Sequence, residues 1–190
     1  FSVVKVGGVV RDIDKLQFDE IKRVLEGIKH DYNQLCKVFL KDTSVKNRTV
    51  GVGYISHEDA LDLSMVGPFA RASSVNNDSR CLGNGGYKFL SDFQPIMDGQ
   101  GDCYARVKVR ALEVLQSIDI IEEMIAKIPE GDIAVPVKGS PADGAESSNV
   151  VEQPRGECYY YARGNGSKYL ERMRMRTPTS QNLGGMTKAL

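Results

Sequence analysis

The residues best placed to do chemistry lie in Glu152-Gln153-Pro154-Arg155-Gly156-Glu157. Pro154 fixes its own φ and holds Gln153 extended. Gly156 lets the backbone approach another group closely. Arg155 is thereby carried on a stiff loop. A guanidinium so placed suits a fixed anionic ligand, to which it can donate directed hydrogen bonds. An ordinary loop arginine in water is the alternative. A second polar set is Arg106, Arg110, Glu113 and Ser117, at spacings of 4, 3 and 4, which makes one stripe along a helix. Solvated, the stripe would hold an Arg110–Glu113 pair worth about 0.2 to 0.5 kcal/mol. Buried, it would face a partner subunit or the rest of a larger chain.

Other chemistries find little material. Cys36, Cys81, Cys103 and Cys158 are widely spaced, which excludes a ribbon-type zinc site and a CxxC redox pair from local spacing. They read as reduced thiols. His30 and His57 stand alone, too few for a histidine metal site or a Ser-His-Asp triad. Gly51-x-Gly53, Gly83-Asn84-Gly85-Gly86 and Gly164–Lys168 lack the strand-glycine-helix setting of a phosphate loop. The last reads as a hairpin turn.

The elements that must position these residues can be read from periodicity. The chain has 190 residues, 41% hydrophobic and 26% charged, an ordinary globular composition that fits a single domain over 1–190. Lys plus Arg and Asp plus Glu are both 25, so general attraction to nucleic acid is not expected. No apolar run approaches the roughly 18 residues of a membrane span. The opening FSVVKVGGVV lacks the apolar core of a signal peptide, and the absence of Met at Phe1 reads as an excised fragment.

Residues 1–13 read as extended around Gly7-Gly8. Phe18, Ile21, Leu25, Ile28, Tyr32, Leu35 and Phe39 predict one long helix with a single apolar stripe. Residues 42–53 read as a loop. Ser56 opens a short helix running to about Met65, and Gly67-Pro68 breaks it. Residues 72–101 read as irregular, pinned to the core by Tyr87, Phe89 and Phe93. Asp102 caps a second long helix whose stripe is Val107, Ala111, Val114, Ile118, Ile121, Ile125 and Ile128. Pro129 ends it. Residues 131–151 read as a flexible loop. Residues 157–162 read as a strand, Asn165-Gly166 as a hairpin turn, and 172–177 as a return strand with Arg172, Arg174 and Arg176 on one face. The fold class expected is α+β: an antiparallel helical bundle with two long helices and short β-hairpin elements.

Five pieces then occur in one order: VKVGGVVRD at Val4–Asp12, GVGYISHEDALDLSMVGPFARASSVNNDSR at Gly51–Arg80, GDCYARVKVRALEVLQS at Gly101–Ser117, EQPRGE at Glu152–Glu157 and RMRMRTPTSQN at Arg172–Asn182. Together they resemble the large subunit of nickel-iron hydrogenases, in the energy-converting, membrane-bound class related to respiratory complex I. The large quinone-site subunit of complex I shares the first four pieces. Arg176-Thr177-Pro178-Thr179 with Asn182 is the hydrogenase-like element.

The resemblance implies a nickel-iron centre bridged by cysteine thiolates, with cyanide and carbon monoxide on iron. Pro154 and Arg155 match the pair over that centre, where the arginine donates to one cyanide and serves as base or electrostatic partner for the proton from H2. Thr179, beside Pro178, matches the donor to the other cyanide. Such donors tune a metal rather than bind it. The resemblance also implies an iron-sulfur small subunit and membrane subunits as partners, and a cytoplasmic position on the inner face of the membrane.

The chain departs from the pattern in lacking both CxxC pairs that hold the metal, and in carrying Ser74 where a glycine is expected. No metal ligand is therefore assigned, and the fragment alone is expected to bind no nickel-iron and to be inactive. A complex I-like subunit without nickel and a non-catalytic structural relative remain open as alternatives.

Overall fold

The computed structural model describes residues 3–83 and 85–190. Phe1, Ser2 and Asn84 fall outside them, so the readings placed on the chain start and on the Gly83–Gly86 segment lie partly outside the described residues. The architecture is mixed helix and sheet, in agreement with an α+β class. A small hairpin of β1 (Val4–Lys5) and β2 (Gly8–Val9) precedes the long helix α1 (Lys15–Lys41). Asp14 starts α1 with a reciprocal capping box to Gln17.

The expected loop over 42–53 is corrected in its first half. Residues Thr43–Thr49 form a helix, α2, because the Asp42 carboxylate accepts from the Val45 amide at 2.9 Å and caps it. Helix α3 (His57–Asp62) ends earlier than expected, and Ser64 follows with φ +49°. Gly67-Pro68 begins an element rather than breaking one: Pro68 occupies the first position of the short α4 (Pro68–Arg71).

Two 3₁₀ turns, Ser79–Leu82 and Gly85–Phe89, follow. Of the three aromatics expected to pin this segment, Tyr87 and Phe89 are exposed, and Phe93 is half-buried with the Arg80 guanidinium over its ring. Polar contacts also hold it. Lys127 donates to the Phe89 carbonyl at 2.9 Å, and Glu123 accepts from the Ser91 amide at 2.8 Å.

The second long helix is α5 (Cys103–Lys127). The Asp102 carboxylate caps it through the Ala105 amide at 2.8 Å and also accepts from the Gly51 amide at 2.7 Å. Tyr104 Oη donates to the Leu40 carbonyl at 2.7 Å, joining the start of α5 to the end of α1. Further along, Lys29 meets Asp119 at 2.6 Å and Glu122 at 3.0 Å. The two long helices therefore run antiparallel.

Their inward faces differ from the expected stripes. On α1, Phe18, Ile21, Leu25 and Tyr32 are half-buried, but Ile28, Leu35 and Phe39 are exposed, and Lys29, Cys36 and Leu40 take the inward places. The cause is the period. The expected stripe repeats every seven residues, whereas a straight helix drifts by about 20° per heptad, roughly 60° over three. On α5 the buried residues are Ala105, Val109 and Ile118, while Val114 and Ile121 are exposed.

The core is built from the segment 55–75 packed against α5 and the C-terminal end of the chain, and α1 contributes no buried residue to it. Ile55, Ala60, Met65, Ala70 and Val75 form one buried cluster, with Leu63, Phe69 and Ala189 against it. Ala72, Ala105 and Val109 form a second, which fastens α4 to α5. Asp143–Gln153, Gly156–Asn165 and Leu170–Arg176 form an antiparallel sheet in the order β3-β4-β5. The loop expected over 131–151 is thus corrected from Asp143 onward. Strand β3 was not legible because residues 143–149 are exposed and polar on both faces, leaving no alternation to detect. Two short helices, α6 (Pro178–Gln181) and α7 (Leu183–Lys188), follow the sheet.

Candidate functional site

Pro154 and Arg155 are the two turn residues of the β3–β4 hairpin, between the paired Gln153 and Gly156. Both side chains are exposed. The turn is pressed against the start of α4. A Cβ on Gly67 would lie 2.3 Å from Gly156 Cα and 2.4 Å from the Arg155 carbonyl oxygen. Both glycines have positive φ, +71° and +127°. No other residue type fits this crossing of two backbones. The close approach expected of Gly156 is therefore made to Gly67.

The Arg176–Asn182 element is anchored one residue away. Asn182 is buried, and its side-chain amide grips Val66 twice. Oδ1 accepts from the Val66 amide at 2.9 Å, and Nδ2 donates to the Val66 carbonyl at 3.0 Å. Gln181 Nε2 donates to the Ser64 carbonyl at 2.8 Å, and Gln181 Oε1 accepts from Arg176 at 3.0 Å. Arg176 also pairs with Glu157 at the base of the hairpin. Pro178 is buried and Thr179 is exposed. The two sequence elements that carry Arg155 and Thr179 thus converge on one backbone stretch, Val66-Gly67.

Behind the turn lies a buried cluster of five charges. Arg71, 1% exposed, bonds Glu113 through Nε at 2.9 Å, Glu152 at 2.8 Å and the Asn77 carbonyl at 3.0 Å. Arg71 also pairs with Asp78 at 3.2 Å. Arg80 forks onto Asp78 at 2.9 and 2.6 Å. Glu152 accepts further bonds from the Ser79 amide at 3.1 Å and its hydroxyl at 2.8 Å. Two guanidinium groups thus face three carboxylates. Burial pushes the Glu113 carboxyl above the ordinary carboxylate range, against the opposing pull of Arg71 and Arg80. A cavity of about 410 Å³ adjoins the cluster, lined by Arg71, Arg80, Tyr87, Arg110, Glu113 and Pro154 among others.

The expected Arg110–Glu113 pair on α5 does not form. Glu113 turns to Arg71 and Arg80, and Arg110 donates to the Pro154 carbonyl at 3.4 Å. Arg106 bonds the Gly53 and Gly101 carbonyls at 2.7 and 3.0 Å and lies over the Phe69 ring. Arg106 and Glu113 therefore pack within this chain, whereas Arg110 and Ser117 are exposed. Sequence reasoning gave Arg71 and Glu152 no chemical role. Their partners are 42 and 81 residues apart, beyond any local spacing signal.

The four cysteines are free. Among the described residues, no group of three or more His, Cys, Asp or Glu side chains could hold a metal ion. No helix among them is long and apolar enough to cross a membrane.

A family model described as "Respiratory-chain NADH dehydrogenase, 49 Kd subunit" matches residues 1–140. The carbon monoxide-induced hydrogenase of Rhodospirillum rubrum is 32% identical over 183 residues, covering 95% of this chain and 50% of that protein. The membrane-bound hydrogenase subunit alpha of Pyrococcus furiosus is 32% identical over 209 residues, covering 100% of this chain and 48% of that protein. An NADH-quinone oxidoreductase subunit of Rhizobium etli (strain CIAT 652) is 34% identical over 215 residues, covering 96% of this chain and 52% of that protein. The chain spans about half the length of these relatives.

Proposed function

Because this chain belongs to the family of the respiratory-chain NADH dehydrogenase 49 Kd subunit, we propose that its parent is a catalytic large subunit of the nickel-iron hydrogenase type. In this reading it oxidises H2 or reduces protons and passes electrons to an iron-sulfur small subunit. The observation that carries it is the convergence of the Pro154-Arg155 turn and the Thr177–Asn182 corner on Val66-Gly67. Two polar elements distant in sequence are fixed to one backbone stretch, as donors to a single ligand set must be. The two hydrogenases among the relatives support the same reading.

The donor chemistry fits outer contacts to cyanide on a nickel-iron centre. Arg155 and Thr179 are exposed donors on backbone that is held elsewhere, and Pro154 and Pro178 stiffen the approach to each. Such a centre, when bound, supplies the site at which H2 is split or formed. Arg155 would bring positive charge there and steer a proton by its charge, and Thr179 would donate from the other element. The metal's own thiolate ligands lie outside this donor set, so the chain alone supplies a canopy and is inactive. The antiparallel pair α1–α5 is one side of a helical bundle that the rest of the parent completes, and membrane subunits hold it on the inner, cytoplasmic face.

A second reading rests on the family match itself and on the Rhizobium etli relative: a quinone-type complex I-like subunit without nickel. The test uses the full-length parent. Arg155→Lys is expected to lower H2 turnover by about 10² to 10³-fold, the range for removing one fixed donor. As an exposed substitution it should move stability by no more than about 0.5 kcal/mol. Near-unchanged turnover refutes the assignment. A parent that carries no nickel and reduces quinone establishes the second reading.

A further inference from the structure

We propose that Arg71 and Glu152 are positioning residues for Arg155, their buried ion pair holding the hairpin turn so that the Arg155 side chain leaves the backbone from a fixed point and in a fixed direction. The inference rests on the reading of Arg155 as the functional donor. Among the described residues, nothing holds the Arg155 guanidinium itself, so the turn backbone, which sets its Cα–Cβ direction, is what limits where it can reach.

That backbone is held on both sides. After Arg155, Gly156 lies against Gly67 at the start of α4. Before Pro154, Glu152 is bonded by Arg71, at the other end of the same four-residue helix. The Ser79 amide and hydroxyl fix the second oxygen of Glu152. Arg110 adds a longer bond to the Pro154 carbonyl. Helix α4 thus grips the turn like a bracket, and the buried cores fix α4 in turn.

Stability alone does not account for this arrangement. Buried ion clusters are often replaceable by apolar residues without loss. Arg80 and Asp78 already satisfy each other bidentately. The third carboxylate leaves the cluster with excess negative charge, yet Glu152 is the member that reaches the turn.

The experiment measures backbone order by ¹⁵N relaxation at Gln153, Arg155 and Gly156 in the full chain. It compares Glu152→Gln with Asp78→Asn, a substitution in the same cluster with no bond to the turn. Glu152→Gln is expected to lower the Arg155 order parameter from about 0.85 to below about 0.6. Asp78→Asn is expected to lower the melting temperature while leaving the turn rigid. If Glu152→Gln does not fold, Glu152→Asp, which keeps the charge but withdraws it by one methylene, is read by the same criterion. An unchanged turn in the Glu152 variant, or equal loosening in Asp78→Asn, overturns the proposal. The measurement needs no metal. A turn that loosens as expected in a parent without H2 turnover would sink the hydrogenase reading alone, and a turn indifferent to Glu152 in an active parent would sink this one alone.

Discussion

Replacing Asn182 by Ala tests the joint between the C-terminal corner and the core. In the folded chain its amide satisfies both polar groups of Val66, at 2.9 and 3.0 Å. Asn182 is 7% exposed and Val66 3%, so water cannot take over without local opening. The substitution strands one N–H and one C=O. Each buried orphan costs about 1 to 3 kcal/mol, so the pair should lower stability by roughly 2 to 5 kcal/mol after partial relaxation. That is a large share of the about 5 to 15 kcal/mol that holds a typical domain. At about 2 to 4 °C per kcal/mol for this size, the midpoint should fall by roughly 4 to 20 °C. Equilibrium urea unfolding followed by circular dichroism gives the number, with an unchanged slope showing that both end states are preserved. Amide exchange at Val66 gives the cause, since its protection should collapse before that of Val109. A loss below about 1 kcal/mol with Val66 still protected would refute the reasoning, because the two bonds would then not be what holds the corner.

Two further perturbations follow from the same geometry. Gly67→Ala places a methyl 2.4 Å from the Arg155 carbonyl at a φ of +71°, so it should destabilise by about 3 kcal/mol or more, or displace the hairpin, as thermal melting and the Gly156 amide shift would report. An unshifted melting temperature would show that the contact yields. Glu123, whose carboxyl is held down to about 2 by Lys127 and the Ser91 amide, should titrate near that value by carboxyl ¹³C shift and return toward the ordinary range in Lys127→Met. Because its folded pKa is depressed, the stability it contributes is present above the unfolded value and lost as pH falls toward 2. A Glu123 midpoint unmoved by Lys127→Met would contradict this.

Periodicity revealed both long helices, and a capping aspartate correctly marked the start of the second. The same periodicity misplaced their inward faces, because a heptad pattern and a straight helix diverge with length. The β4–β5 hairpin and the strand of tyrosines were legible from local propensity, although Asn165 ends the strand and the connection runs over residues 166–169 rather than as an Asn165-Gly166 turn. Strand β3 was not, since a polar edge strand gains its order from the neighbour it pairs with and carries no pattern of its own. The stiffness of the Pro154-Arg155 turn was readable from Pro and Gly, but not what it leans on. Gly67, Arg71 and Asn182 act through partners on remote segments. Their chemistry is ordinary in one dimension and specific only when the chain is folded.

The bond between Val66 and Asn182 spans 116 residues of chain. At a synthesis rate of about 5 to 20 residues per second, Val66 is made roughly 6 to 23 seconds before its partner. Helix–coil relaxation takes about a microsecond or less, and hairpins form in about 1 to 10 microseconds. Local structure can therefore form and melt many times before the partner of Val66 is made. During that interval the Val66 polar groups stay in water, and for most of it the Gly67 shelf has no hairpin on it. The surface on which Arg155 is set is thus finished late, only when the Thr177–Asn182 corner arrives.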